Sequence, residues 1–302
     1  MEETQMITFK KINLEDRDLL APLLPTLDNR DCNLSFVNLY SWQFLTDASY
    51  AFIGGTPVLR LLLERTRTVY ILPPGGDDST RALQLLIEED RQHDRPTRLF
   101  GIIPRLAPWL DEAFPGAFRY HANRDYFDYL YLRRDLVELR GKYLQAKRNH
   151  VNKFLRTYAH EYLPLTPSLA PECLQLEEEW CLRHGDAPSE SLRNERQAMT
   201  LALNHVAELQ LLGGAIRVNG KLVAFAYGAP VTTDTFGIHI EKADASIGGA
   251  YNMINQELAR RVPEHYTYIN REEDLGIPGL RQAKGSYHPY LLLEKGVAEY
   301  HP

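Results

Sequence analysis

Apolar residues along this chain follow two alternating periods, and each stretch predicts a short element. Met6 to Ile12 reads as a strand, and Asp16 to Leu24 as a short helix closed by Pro25. Within Ser35 to Leu45, Phe36, Leu39, Tyr40 and Phe44 have helical spacing. A hairpin-like run follows over Tyr50 to Ile53, Val58 to Leu63 and Thr68 to Leu72, punctuated by Gly54-Gly55 and Pro73-Pro74-Gly75-Gly76. Ser79 is placed to cap an amphipathic helix reaching Arg91, with Leu83, Leu86 and Ile87 on one face. Leu99 to Ile103 predicts a strand, Pro104 to Phe114 a helix started by proline, and Tyr126 to Leu132 an aromatic-rich strand.

The second half repeats the mixture. Pro171 to His184 and Asn194 to Leu209 predict helices. A three-strand meander comes next, over Gly214 to Val218, Leu222 to Gly228 and Thr235 to Glu241, its first turn marked by Asn219-Gly220. Both faces of Leu222 to Gly228 are apolar, which predicts a central strand covered by helices. Ser246 to Arg261 predicts a helix, Tyr266 to Asn270 a strand, Gly279 to Lys284 a helical turn and Tyr290 to Glu294 a last strand. This order is α+β and excludes a barrel or a doubly wound parallel sheet. Pro164, Pro167 and Pro171 place the boundary between halves in Glu161 to Pro171.

Composition changes the picture little: 44% hydrophobic and 25% charged residues describe an ordinary globular chain. The best apolar run, Val58 to Leu63, is short and interrupted by Arg60, so no transmembrane segment is expected. The opening Met1-Glu2-Glu3 is unlike a signal peptide, and three cysteines suit a reducing compartment, so a cytoplasmic location is expected. Charge is more informative. On a chain of net charge −6, the segment Arg133 to Arg156 carries eight Lys/Arg against Asp135 and Glu138. Such an island is either a solvated face or a surface for phosphates.

Three constellations could carry chemistry. Glu241 to Tyr251 ends a strand and opens a helix through Gly248-Gly249, where free backbone N–H groups and the helix dipole would favour a phosphate; a simple tight turn is the plain alternative. Tyr268 to Pro289 packs charged residues at the exit of a short strand. There Lys284 suits a developing oxyanion, Tyr287 a proton donor, and Arg281 shares the side of Lys284; a salt-bridged loop is the alternative. On a helix over Lys142 to Tyr158, Lys147 falls inside the apolar arc, so it snorkels, pairs with a buried acid or faces a cleft. Cys173, Cys181 and His184 lack a second cluster to complete four metal ligands, so no metal site is expected. Cys32 has no His nearby in sequence.

Glycines after a three-strand meander match the layout of the GCN5-related N-acetyltransferase (GNAT) fold. The stretches Ser35-Phe36-Val37-Asn38-Leu39-Tyr40-Ser41-Trp42, Lys147 to Phe154, Asn270 to Gly276 and Lys284 to Pro289 resemble a bacterial family related to the C-terminal domain of phosphatidylglycerol lysyltransferase. The resemblance implies tandem GNAT-like domains: an N-terminal domain over 1–135, a basic bridging helix over 136–160, and a C-terminal domain over 161–302 holding the more complete site. It also implies transfer of an acyl or aminoacyl group from acyl-CoA or aminoacyl-tRNA to an amine or hydroxyl. The acceptor would be a small molecule, lipid headgroup or peptide, with no tightly bound cofactor.

Within that frame Glu241 is expected to act as general base or water-positioning group and Tyr287 as acid. Lys284 and Arg281 would bind an oxyanion or donor phosphate, and Ser246, Gly248, Gly249 and Ala250 would offer backbone donors. Lys142, Lys147, Arg148, Lys153 and Arg156 would meet a polyanion such as tRNA. The alternatives are a CoA-dependent N-acetyltransferase of a small molecule and an inactive module that binds a phosphorylated ligand.

Overall fold

Asn219 and Gly220 take φ of +50° and +79°, the left-handed pair that a two-residue hairpin requires, and they join the strands Leu212–Val218 and Lys221–Pro230. Thr235–Ala243 completes the predicted meander. The computed structural model describes residues 7–27, 30–101, 104, 107–183 and 189–301. Met6, Ile102, Ile103 and His184, named in the sequence-based elements, lie outside these residues.

The chain divides into two units, Met1–Asp128 with Leu293–Pro302 and Tyr129–Leu292. In the second unit's sheet the strand order is Leu291–Leu293, Asp128–Leu132, Tyr268–Asn270, Thr235–Ala243, Lys221–Pro230, Leu212–Val218 and His160–Pro164. The central position of Lys221–Pro230 explains its two apolar faces. Thr235–Ala243 and Tyr268–Asn270 run parallel, joined by the central helix Ala250–Arg261. In the first unit the order is Lys10–Lys11, Ser49–Ile53, Thr56–Leu63, Arg67–Ile71, Arg98–Phe100, Gly296–Tyr300 and Phe118–Ala122. It has the same plan: an antiparallel meander, the helix Gly76–Gln92, then a strand parallel to the last of the meander. Both sheets are mostly antiparallel and flanked by helices.

Pairing redraws the expected domain spans. The proposed linker Glu161 to Pro171 begins inside a strand, because His160–Pro164 pairs with Leu212–Val218. The aromatic strand Asp128–Leu132, expected in the first domain, pairs with Tyr268–Asn270 instead. The tail strand Gly296–Tyr300, not anticipated, pairs with Arg98–Phe100 and Phe118–Ala122. Local corrections follow the same logic. Gly75, in left-handed backbone, is the N-cap of Gly76–Gln92, so Ser79 sits inside that helix. The Ser35 to Leu45 helix breaks at Trp42, and Asp16 to Leu24 resolves into short turns. The basic helix proper runs over Gln145–Thr157.

One irregularity positions the functional residues. Tyr227 pairs with Ile240 but Gly228 pairs with Ile238, leaving His239 as an extra residue in Thr235–Ala243. A bulge of this kind switches which side chains face which side. Phe236 and Ile238 before it, and Ala243 after it, all belong to the core beneath the central helix. Glu241 is thereby turned to the same face, where it meets Asn255 on that helix.

Candidate active site

Pairing of the parallel strands ends at Gly237 and Asn270, so Thr235–Ala243 continues past the end of its neighbour. Arg271, the first residue beyond, turns toward Glu241. Its Nε and Nη2 donate to Glu241 Oε2 at 2.9 and 2.6 Å, and Asn255 Nδ2 donates to Oε1 at 2.6 Å. Burial works against the Arg271 charge, but the Glu241 carboxylate outweighs it and holds the guanidinium protonated. Arg271 Nη1 is buried and has no hydrogen-bond partner among the described residues, as does the acceptor Asn255 Oδ1. Unpaired buried polar atoms are costly, so a pair of them beside one ion pair makes this place a candidate site for a ligand's polar groups.

Tyr287 closes this place from the end of the helix Pro278–Gly285. Its ring lies 4.7 Å from the Arg271 guanidinium, and its hydroxyl accepts a hydrogen bond from Asn252 Nδ2 at 2.7 Å. The hydroxyl proton has no acceptor among the described residues. Burial lifts the Tyr287 hydroxyl above its ordinary range, so it stays protonated at neutral pH. Lys147 reaches the same ring from the basic helix, with Nζ 4.4 Å from the centroid. Of the three options for Lys147, pairing with a buried acid is not taken: among the described residues no carboxylate pairs with it, and Nζ rests on the Tyr287 ring instead. Burial, and next the Arg271 charge, hold its ammonium below the ordinary lysine range.

Other expected residues lie differently. Lys284 is buried and its Nζ donates to the Glu273 carbonyl, while Tyr131 Oη donates to the Lys284 carbonyl at 2.7 Å. Arg281 grips Asp274 through Nε and Nη2 at 2.9 and 2.8 Å, and Tyr129 Oη donates to the same carboxylate at 2.6 Å. These bonds brace the Glu273 to Lys284 segment rather than face Glu241. At the helix entrance, Ser246 gives its N–H and its hydroxyl to Asp244, and Ala250 gives its N–H to Ile247. Only the amides of Gly248 and Gly249, of the four expected donors, are without an acceptor among the described residues. A Cβ on Gly249 (φ +90°) would lie 2.6 Å from the His150 carbonyl, so this glycine also serves the approach of the basic helix.

Along the basic helix, Lys142, Lys153 and Arg156 are exposed, whereas Arg148 donates to the Leu139 carbonyl at 2.5 Å. Cys173 and Cys181 are buried, and burial pushes their thiols up to about 12 and about 11. Cys181 donates to Glu177, which suits packing.

Three residues of this site carried no role in the sequence reading, Arg271, Asn252 and Asn255, and neither did His239 at the bulge, whose Nδ1 lies 2.8 Å from Glu272 Oε1. Polar His239, Glu241 and Lys242 near the end of the strand Thr235–Ala243 were the available signal.

Comparison with known proteins agrees with this architecture. The family model of the phosphatidylglycerol lysyltransferase C-terminal domain matches residues 25–298. A conserved protein of unknown function from Bacteroides thetaiotaomicron is 46% identical, with a TM-score of 0.94 over 98% of this chain and 100% of that one. A tandem GNAT protein of the clavulanic acid pathway shares the fold at 12% identity, with a TM-score of 0.51 over 98% of each chain. An uncharacterized protein of Mycoplasmoides gallisepticum is 22% identical over 169 residues, which are 56% of this chain; the chain thus spans about half, 54%, of that curated relative. No helix among the described residues is long and apolar enough to cross a membrane. With matched residues running almost from end to end over a tandem GNAT-like fold, the chain belongs to the family of phosphatidylglycerol lysyltransferase C-terminal domains.

Proposed function

We propose that this chain is a transferase that moves an activated acyl or aminoacyl group from a thioester or ester donor, acyl-CoA or aminoacyl-tRNA, to an amine or hydroxyl. The observation that carries this reading is the unpartnered Nη1 of half-buried Arg271, whose guanidinium lies against the ring of Tyr287, a residue with an unspent hydroxyl proton. A fixed cationic donor in a low-dielectric setting suits the negative charge that grows on a carbonyl oxygen during acyl transfer. Glu241 and Asn255 are the positioning residues of Arg271, since both carboxylate oxygens are already engaged. This replaces the general-base role expected for Glu241. Tyr287 stays an acid, protonating the leaving group. Lys284 and Arg281 move from chemistry to bracing the loop.

The Gly248 and Gly249 amides support binding of a donor phosphate at the positive end of the central helix. Exposed Lys142, Lys153 and Arg156 favour a donor with an extended polyanion, which places aminoacyl-tRNA ahead of acyl-CoA. Offering both donor classes with an amine acceptor, and following the transferred group by mass spectrometry, tests the reading. Turnover with aminoacyl-tRNA that falls steeply with salt, and falls further in the Lys153→Glu, Arg156→Glu double variant, is expected. Turnover with acyl-CoA alone, unaffected by that variant, would establish an ordinary acetyltransferase. Ligand binding without turnover from any donor would leave a phosphate-binding module.

A further inference from the structure

Acyl transfer requires a group that takes the proton of the attacking amine or hydroxyl, and both Glu241 oxygens are held by Arg271 and Asn255. We propose that Lys147 is that proton acceptor, working as a neutral amine over the ring of Tyr287; this rests on the transferase reading above. Lys147 is the third residue of the helix Gln145–Thr157, whose first turn contains no acid. The positive helix end therefore opposes its ammonium form.

The groups facing Lys147 add to this. Arg271 approaches from the loop beyond Tyr268–Asn270 and repels a second cation. The Glu241 carboxylate is engaged by Arg271 as its ion-pair partner. From the central helix comes Asn252, uncharged, and on its own helix Arg148, which is tied to the Leu139 carbonyl. Only the face of Tyr287 favours the charged form, and such a contact is worth about 0.5–2 kcal/mol. Desolvation and like charge are the two conditions that make a lysine a base near neutral pH.

The step balances as follows. The nucleophile's lone pair forms the bond to the carbonyl carbon, and Lys147 Nζ takes the nucleophile's proton. The bond from carbon to the donor's oxygen or sulfur breaks, its electron pair staying on the donor. Tyr287 Oη protonates that leaving atom, and the proton held by Lys147 passes to the Tyr287 oxygen, so both groups return to their starting state.

Two measurements decide the proposal. The first is competitive acetylation of the folded protein with trace acetic anhydride across pH, read peptide by peptide. Lys147 should reach half of its limiting reactivity at lower pH than exposed Lys142 and Lys153. The second is turnover, with the donor the wild type uses, for Lys147→Gln and Lys147→Arg. Both should lose about 10²- to 10⁴-fold, because the guanidinium keeps the charge but cannot accept a proton. An ordinary acetylation midpoint, or rescue by Lys147→Arg, would make Lys147 an anchor for negative charge and overturn the proposal alone. So would an acid limb of the pH–rate profile that persists in Lys147→Gln and vanishes in His239→Gln. Absence of wild-type turnover from every donor would remove the transferase reading, and the proposal with it.

Discussion

Each unit turns from a three-strand meander into a helix through a left-handed glycine, and the two entrances have opposite electrostatics. At the first, Gly75 is followed by Asp77 and Asp78 in the opening turn. Their carboxylates neutralise the positive helix end, which leaves little attraction for an anion. At the second, Gly249 is followed by Ala250, Tyr251 and Asn252, with no acid in the first turn. Strand register differs as well: Arg67–Ile71 pairs with Thr56–Leu63 without interruption, whereas Thr235–Ala243 carries the bulge that turns Glu241 toward the central helix. One topology thus gives a closed entrance in one unit and an open one in the other.

Their buried cations differ in the same sense. Lys295 in the first unit is fully buried, 2.7 Å from Asp31 Oδ1, 2.9 Å from Asp128 Oδ1 and 3.6 Å from Cys32 Sγ. Its ammonium is surrounded by acceptors, as a structural charge requires. Arg271 keeps Nη1 unspent. The first charge is spent on the fold, whereas the second has a donor left over, which is what the proposed function uses.

The largest effect should come from the closed site. Lys295→Met leaves two carboxylates buried without their cation and should cost about 3–5 kcal/mol, measured by denaturant titration. A loss below 1 kcal/mol would mean that the cluster does not hold the tail strand.

Next come the glycines. Gly249→Ala combines left-handed backbone with a clash against the His150 carbonyl and should cost about 2–3 kcal/mol. Gly76→Ala, at φ +80° with open space around it, should cost about 1–2 kcal/mol. Equal losses would show that contact with the basic helix adds nothing at Gly249.

A smaller effect is pH-dependent. Burial raises the Asp274 carboxyl, but hydrogen bonds from Arg281, Tyr129 and the Gly276 amide outweigh it and hold the group well below its ordinary 3.8. A folded-state value below the unfolded one contributes stability that is present above 3.8 and lost as pH falls toward the folded value. Asp274→Asn should therefore lower stability at pH 7 and flatten its decline in acid. An unchanged acid profile would contradict the role of this carboxylate in bracing the loop.

The meander was legible because Asn219-Gly220 allows one tight turn and the flanking residues alternate regularly. The basic helix was legible from its periodicity, and Lys147 declared itself as a cation in an apolar arc. The bulge at His239 was not, since no turn residue or break in the strand marks the extra residue. Arg271 was hidden among charged neighbours, where only the ending of the parallel pairing singles it out. Lys284 had the chemistry of an active-site lysine, but its burial against the Glu273 carbonyl depends on tertiary packing. The tail strand was missed because Gly296–Tyr300 is short and its partners lie almost two hundred residues earlier.

The central claim is that the unpartnered Nη1 donor of Arg271 stabilises the reacting carbonyl oxygen. It is tested most directly by single-turnover transfer in wild type and Arg271→Lys, which keeps the charge facing Glu241 and removes Nη1. Loss of about 3 kcal/mol of transition-state stabilisation, a rate reduction of roughly 10²- to 10³-fold, is predicted, with donor affinity and melting temperature little changed. A rate equal to the wild type's, or a collapse of donor affinity at unchanged rate, would contradict the account.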